Sequence, residues 1–171
     1  RPLNYPEGVA GHGVKRFDVG GETVAVVNVM GHYGMPMVEN PFLRTRACIA
    51  SLKEEGIKTI LVDFHAEVTS EKYAMMHLLK GNVSALLGTH THVGTDDLMI
   101  VDGMCYVTDV GLSGCRDGVI GMDKEAPLRR FLTGLPTALE IPKKCKKILQ
   151  IIIMEIEEGR CLSAQKLRIF D

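Results

Sequence analysis

The chain has 171 residues, of which 46% are hydrophobic, and a formal charge of −1 from 20 Lys and Arg against 21 Asp and Glu. This length and composition predict one compact unit, and the balanced charge argues against long nucleic acid as a partner. The longest apolar runs are far shorter than the roughly 20 residues that cross a bilayer, so no membrane span is expected.

The first predicted elements are a strand, a helix and a second strand. Thr23–Met30 is apolar and rich in β-branched residues, as a buried strand is. Residues Pro41–Glu55 place apolar side chains at helical spacing, with Asn40 as the cap and Gly56 as the stop. Lys58–Asp63 is again an apolar run. The succession is that of a βαβ unit, so we expect a parallel or mixed sheet.

The alternation continues for one more helix and strand. Thr69-Ser70-Glu71 is typical of a helix start, and the predicted helix Glu71–Lys80 ends before Gly81-Asn82. Its Met75, Met76 and Leu79 are predicted to be buried. Val83–Leu87 is the next short buried strand. This part of the chain therefore also has an α/β pattern.

The second half is predicted to be mainly β. Four further strands are expected at Leu98–Val101, Met104–Thr108, Gln150–Glu157 and Ser163–Phe170. Turns are predicted at Asp102-Gly103 and Glu158-Gly159, which are dipeptides that favour hairpins. The glycine-dense segments 109–114 and 117–123 match no phosphate-binding motif and are interpreted as tight turns. The basic run Lys143–Lys147 is interpreted as a solvated surface loop.

The cysteines give no sign of a metal site or a nucleophile. They are Cys48, Cys105, Cys115, Cys145 and Cys161. None lies in a CxxC pair, and an odd number cannot all be paired within one chain. Reduced thiols are the simplest interpretation, so we expect a cytoplasmic protein.

The histidines of two strand ends are the chief candidates for chemistry. His90 and His92 follow the predicted strand Val83–Leu87, and His65 follows the strand that ends at Asp63. Ligand sites of α/β folds gather at the carboxyl ends of parallel strands, so the three imidazoles are predicted metal ligands. Asp63 and Glu67 are candidates to accept the second ring N–H of these ligands. Each could instead be a zinc-type ligand or a general base, and helix capping or loop bracing fits each as well.

The other three histidines have a more ordinary interpretation. His12, His32 and His77 lie in no such motif, and His77 falls within a predicted helix. A lone histidine is usually a hydrogen-bonded core or surface residue. We therefore expect none of the three to bind metal.

Four segments resemble, in the same order, the YmdB-like family of calcineurin-type metallophosphoesterases of bacteria. They are RPLNYPEG, DFHAEVTSEK, GTHTHVGTDD and YVTDVGLSGCRDGVIGMD. The resemblance implies an α/β fold, with two mixed β-sheets packed as a sandwich and flanked by helices. The missing initiator Met suggests that residues 1–171 are the C-terminal portion of a single metallophosphoesterase domain, incomplete at the N-terminus.

The resemblance also implies an activity. The expected function is a metal-dependent phosphodiesterase that hydrolyses small cyclic nucleotides, such as 2′,3′-cyclic AMP, through a metal-bridging hydroxide. Two divalent or trivalent ions are implied, with iron or manganese favoured and zinc as an alternative. By position, His65 and His90 resemble ligands of one ion and His92 a ligand of the other. The family's general-acid histidine and remaining ligands belong to an N-terminal segment, so no catalytic residue is expected in this chain.

Two other functions stay open. The first is a non-catalytic regulatory module that binds metal and assembles through its β-rich half. The second is a hydrolase with a single metal held by His65, His90 and His92, as in three-histidine zinc sites. The expected partner is a small phosphodiester, with neither nucleic acid nor membrane, and a homo-oligomer is left open.

Overall fold

The computed structural model describes all residues 1–171, which form nine strands and three helices. The strands are β1 Val14–Val19, β2 Glu22–Met30, β3 Thr59–His65, β4 Ala85–Thr89, β5 Met99–Val101, β6 Met104–Val107, β7 Gly114–Cys115, β8 Lys147–Glu157 and β9 Arg160–Phe170. The helices are α1 Pro41–Glu54, α2 Thr69–Leu79 and α3 Glu125–Thr133. None of them is both long and apolar enough to span a membrane.

The strands form two sheets. The larger has the order β1-β2-β3-β4-β6-β5, and its four central strands are parallel, with antiparallel strands at both edges. Helix α1 connects β2 to β3 and helix α2 connects β3 to β4. The α/β class and the mixed larger sheet are confirmed. The smaller sheet, β7-β8-β9, is antiparallel throughout, because a tight hairpin joins its two long strands.

Local sequence accounts for most elements. The Asn40 side chain accepts hydrogen bonds from the backbone N–H groups of Phe42, at 2.9 Å, and Leu43, at 3.2 Å, which caps α1 as predicted. Both predicted hairpin turns are present. Asp102-Gly103 and Glu158-Gly159 have φ values of 51°, 79°, 49° and 76°, the left-handed pair that a type I′ turn requires.

Strand β3 is longer than predicted. It ends at His65 instead of Asp63, and β4 ends at Thr89 instead of Leu87. The two parallel strands stay paired up to His65↔Thr89, and His65 also pairs with Met30 of β2. His65 therefore lies on the sheet itself and not in the following loop, which fixes its backbone more firmly than the sequence suggested.

Helix α2 also differs from its prediction. It starts at Thr69, and neither Thr69 nor its neighbours cap it with a side chain. Glu71, predicted to belong to the helix start, is only 4% exposed, and its Oε1 accepts a 2.8 Å hydrogen bond from the backbone N–H of His32. This carboxylate therefore binds the loop after β2.

Three elements were not predicted. Strand β1 is short and mostly exposed, and its polar and apolar residues do not alternate regularly. Strand β7 has two residues, too few for a periodic signal. Helix α3 buries only Pro127, and its apolar residues Leu128, Phe131 and Leu132, which share one face, stay exposed.

The larger sheet is covered on both faces. One face packs against α1 and α2, with Val27, Val62, Phe64, Ile49, Leu52, Met75, Met76 and Leu79 among the buried side chains. The predicted burial of the α2 residues is thus confirmed. The other face packs on the smaller sheet through Ala85, Cys105, Cys161, Ile152, Met154 and Ile156.

Candidate metal centre

The predicted ligands lie at the carboxyl edge of the parallel strands. His65 is the last residue of β3, while His90 and His92 follow the neighbouring strand β4. All three side chains are partly buried. The topology thus brings these residues to one edge because their strands are parallel and adjacent.

A chain of hydrogen bonds fixes the tautomer of His65. The Thr89 hydroxyl donates to Asp63 Oδ1 at 2.8 Å, and Asp63 Oδ2 accepts from Asn28 Nδ2 at 2.7 Å. His65 Nδ1 lies 3.1 Å from the same hydroxyl oxygen. Since that oxygen gives its one proton to Asp63, it must accept the proton of His65 Nδ1–H. The ring nitrogen Nε2 is then unprotonated and has a free lone pair.

The adjacent His90 is oriented by a carboxylate. Its Nε2 lies 3.1 Å from Glu67 Oε2, which only accepts, so the proton of the neutral ring lies on Nε2. The other nitrogen, Nδ1, is 3.1 Å from His65 Nε2, and the two rings meet at 82° with centroids 4.8 Å apart. With a neutral His90 ring, two lone pairs face each other, an arrangement that a cation between them stabilises.

The distance between these nitrogens fits a shared ion. With metal–nitrogen bonds of about 2.1 Å, two ligands are separated by roughly 3.0 Å at a right angle and about 3.4 Å at a tetrahedral angle. Burial is the main cause that lowers the pKa of His65, and repulsion between its protonated form and a protonated His90 adds to the effect, so the neutral imidazole is favoured. Neutral imidazole is the form that binds metal.

His92 is placed apart from this pair. Its Nδ1 lies 2.8 Å from the carbonyl oxygen of Ile120, which can only accept, so Nδ1 carries the proton and Nε2 is free. The three histidines do not form one cluster with all ligand atoms within 4.8 Å. The structure thus places His65 beside His90 and His92 outside this pair.

The two carboxylates predicted to support the ligands differ in how they reach the histidines. Glu67 contacts His90 directly, whereas Asp63 reaches His65 only through the hydroxyl of Thr89. The exposed His12 and His77 have no hydrogen bond to this group, and the His32 ring contacts the Val38 carbonyl at 3.2 Å.

The loop with the two histidines has strained backbone. His90 and His92 have φ values of 107° and 62°, which residues with a side chain rarely adopt. Asp109 holds the residue between them. Its Oδ2 accepts from the Thr91 N–H at 3.0 Å and from the Thr91 hydroxyl at 2.9 Å. Such contacts maintain a conformation that the backbone alone disfavours.

Asp109 and Lys72 were missed as site residues. Both side chains are 1% exposed, and Lys72 Nζ lies 3.2 Å from Asp109 Oδ2 and donates to the Thr89 carbonyl at 2.9 Å. The sequence pattern places Asp109 in a glycine-rich turn. The available signal was its place just after the predicted strand Met104–Thr108, the same position that singled out the histidines.

A cavity of about 360 Å³ opens beside His92. Arg116 and Arg168 supply positive charge to its wall, and the Arg116 guanidinium lies 5.0 Å from the ring centroid of Phe170. Its apolar lining residues are Val93, Leu112, Cys115, Ile120, Ile148 and Phe170. Cationic and apolar walls together suit a ligand with both an anionic group and a flat apolar part.

Comparisons with known proteins agree on one family. The model of the family described as YmdB-like protein matches residues 1–167. The Bacillus subtilis (strain 168) protein named 2′,3′-cyclic-nucleotide 2′-phosphodiesterase is 39% identical over 159 residues, which are 92% of this chain and 60% of that protein.

Two solved structures are similar over almost the whole chain. A hypothetical protein from Thermus thermophilus has a TM-score of 0.93 and 40% identity, with 100% of this chain and 67% of that one covered. A novel phosphatase from Mycoplasma pneumoniae has a TM-score of 0.89 and 32% identity, with 99% and 63% covered. The chain spans about 60% of the length of its B. subtilis relative. By sequence and by structure, this chain belongs to the YmdB-like protein family.

Proposed function

We propose that the protein containing this chain is a metal-dependent phosphodiesterase that hydrolyses small cyclic nucleotides such as 2′,3′-cyclic AMP. The observation that carries the proposal is the approach of His65 Nε2 and His90 Nδ1 to 3.1 Å, while the other nitrogen of each ring contacts Thr89 or Glu67. The name of the B. subtilis relative supplies the substrate class.

The proposed centre holds two ions, with iron or manganese favoured over zinc. His65 and His90 would bind one ion and His92 the other, through the nitrogens that their hydrogen bonds leave free. When bound, the ions would stabilise charge on the phosphodiester and activate a water between them as the hydroxide nucleophile. We propose that residues 1–171 form the C-terminal portion of one metallophosphoesterase domain, whose remaining ligands and general acid lie outside them.

The residues of this chain would contribute orientation and substrate binding. Thr89 and Glu67 hold the His65 and His90 rings and make their free nitrogens more basic. Arg116 and Arg168, in the cavity beside His92, would bind a phosphate oxygen of the substrate. The apolar cavity wall would receive the nucleobase.

The test compares two histidine variants of the full-length protein. Metal content is measured by elemental analysis, and hydrolysis of 2′,3′-cyclic AMP is assayed with Mn²⁺ or Fe²⁺. His90→Ala should lose bound metal and turnover together, while His77→Ala, on the exposed face of α2, should keep both.

Two outcomes would contradict the proposal in different ways. Metal bound by the wild-type protein without turnover would instead support a regulatory metal-binding module. Unchanged metal content and turnover in His90→Ala would remove the proposed role of this residue altogether.

A further inference from the structure

Two cysteines and an aspartate meet on one face where β7 joins β8. The antiparallel pairing of β7 with β8 continues for one step past the ends of the strands, because the Arg116 N–H donates a 2.9 Å hydrogen bond to the Lys146 carbonyl. Side chains alternate between the faces of a ladder, so Cys115 and Asp117 share one face and Cys145 lies across from Asp117. The pairing of the two segments therefore fixes this arrangement.

The ligand atoms are close enough to share an ion. One ligand atom each from Cys115, Asp117 and Cys145 forms a set with all members within 4.8 Å of one another. The Cys115 thiol donates to Asp117 Oδ1 at 3.2 Å. In a tetrahedral zinc site, bonds of about 2.3 Å to sulfur and 2.1 Å to oxygen separate sulfur from oxygen by roughly 3.6 Å. Small side-chain movements would reach that geometry.

The surroundings fit a ligand set with a high negative charge. Asp117 is exposed and Cys145 half-buried, so water and a metal ion can reach both side chains. Lys124, Lys144 and Asp123 line the adjoining cavity of about 220 Å³, and together they carry one net positive charge. Two thiolates, a carboxylate and one Zn²⁺ have a net charge of −1, which nearby ammonium groups stabilise.

We propose that Cys115, Asp117 and Cys145 form a second metal site, separate from the histidines, for one thiophilic divalent ion such as Zn²⁺. Water from the adjoining cavity completes its tetrahedral coordination. The ion ties the segment after α3 to the loop of residues 116–122. That loop contains Ile120, whose carbonyl accepts the hydrogen bond from His92 Nδ1. The site is thus a structural brace for the part of the chain that orients His92.

The test uses Co²⁺ as a spectroscopic probe in the full-length protein under reducing conditions. Thiolate-to-cobalt charge transfer gives a near-ultraviolet band that nitrogen and oxygen ligands do not produce. We expect this band to be lost in Cys115→Ser and in Cys145→Ser. It should persist in His90→Ala and in the control Cys48→Ser, which changes a partly buried thiol on α1.

A more conservative variant tests the site in case the serine variants do not fold. Asp117→Asn keeps both thiols and an exposed side chain of the same shape, and should weaken Co²⁺ binding at this site by about tenfold or more. Absence of the band in the wild-type protein would overturn the proposal, as would its survival in both serine variants. Loss of two free thiols to a Cys115–Cys145 disulfide, with no metal uptake, would also overturn it. His90→Ala tests the phosphodiesterase proposal independently, since it leaves these thiols intact.

Discussion

Replacing Lys72 by Met tests whether a buried ion pair holds the histidine loop. Lys72 and Asp109 are each 1% exposed, so the substitution leaves a carboxylate without its counter-ion in the interior. It also removes the donor to the Thr89 carbonyl. Breaking one side of such a pair costs about 3–5 kcal/mol. The loop with His90 should loosen at the same time, because Asp109 also anchors the following residue, Thr91.

The matched control is Lys80→Met, which changes another lysine, at the C-terminal end of α2. Lys80 Nζ lies 3.8 Å from Asp102, and these side chains are 41% and 61% exposed. An exposed pair contributes about 0–1 kcal/mol. At roughly 2–4 °C per kcal/mol for a protein of this size, Lys72→Met should lower Tm by about 6–20 °C and the control by at most about 4 °C.

Thermal unfolding followed by circular dichroism measures both variants, and elemental analysis measures their metal content. The free energy of unfolding and the metal content should both fall in Lys72→Met. Equal shifts of Tm in the two variants would refute the reasoning, since burial would then have no effect on the energy of the pair. A large loss of stability with full metal content would refute only the link to the histidine loop.

Further substitutions probe the rest of the fold and site. Thr89→Val should lower metal affinity by about 10–100-fold, because only the Thr89 hydroxyl links His65 to the Asp63 carboxylate. Thr89→Ser keeps the hydroxyl and should keep the wild-type affinity; calorimetric titration measures both variants. Gly88→Ala should prevent folding, since its Cβ would lie 1.7 Å from the carbonyl oxygen of Thr108, just after β6. Gly20→Ala meets only the left-handed φ of 64° and should cost about 1–2 kcal/mol by urea unfolding. Burial raises the pKa of Cys105 from 9.0 to about 12, so the thiol ionises in the unfolded protein at a lower pH than in the folded one. The free energy of unfolding of the wild-type protein, measured by urea titration, should therefore fall relative to that of Cys105→Ala as the pH rises from 9.0 to about 12. Arg116→Gln should raise KM for 2′,3′-cyclic AMP more than it lowers kcat in steady-state assays, because the side chain lines the proposed substrate cavity.

The sequence predicted the elements whose signals are local. The α1 helix has its cap, its proline and its stop within the segment, and the two I′ turns depend on dipeptides that tolerate positive φ. Strand ends were less predictable. Whether β3 stops at Asp63 or continues to His65 depends on its pairing with β2 and β4, which no local pattern contains.

In the candidate site, too, some features could be predicted from the sequence and others depend on tertiary packing. Order along the chain was enough to place His65 beside His90, because parallel strands joined by a helix end at the same edge. The order along the chain did not reveal Lys72, because a lysine within a helix is normally exposed and only tertiary packing buries this one. Nor did it reveal Cys115 and Cys145, which are far apart in the chain and meet only across the short pairing of β7 with β8.

The buried Lys72–Asp109 pair is better explained by geometry than by stability. Apolar side chains of similar volume would often stabilise an interior as well or better. They could not, however, accept the N–H and hydroxyl of Thr91 or donate to the carbonyl of Thr89, and these are the contacts that flank His90. The positive φ of His90 is unfavourable without such contacts. The ion pair therefore maintains a loop conformation that presents Nδ1 of His90 to His65.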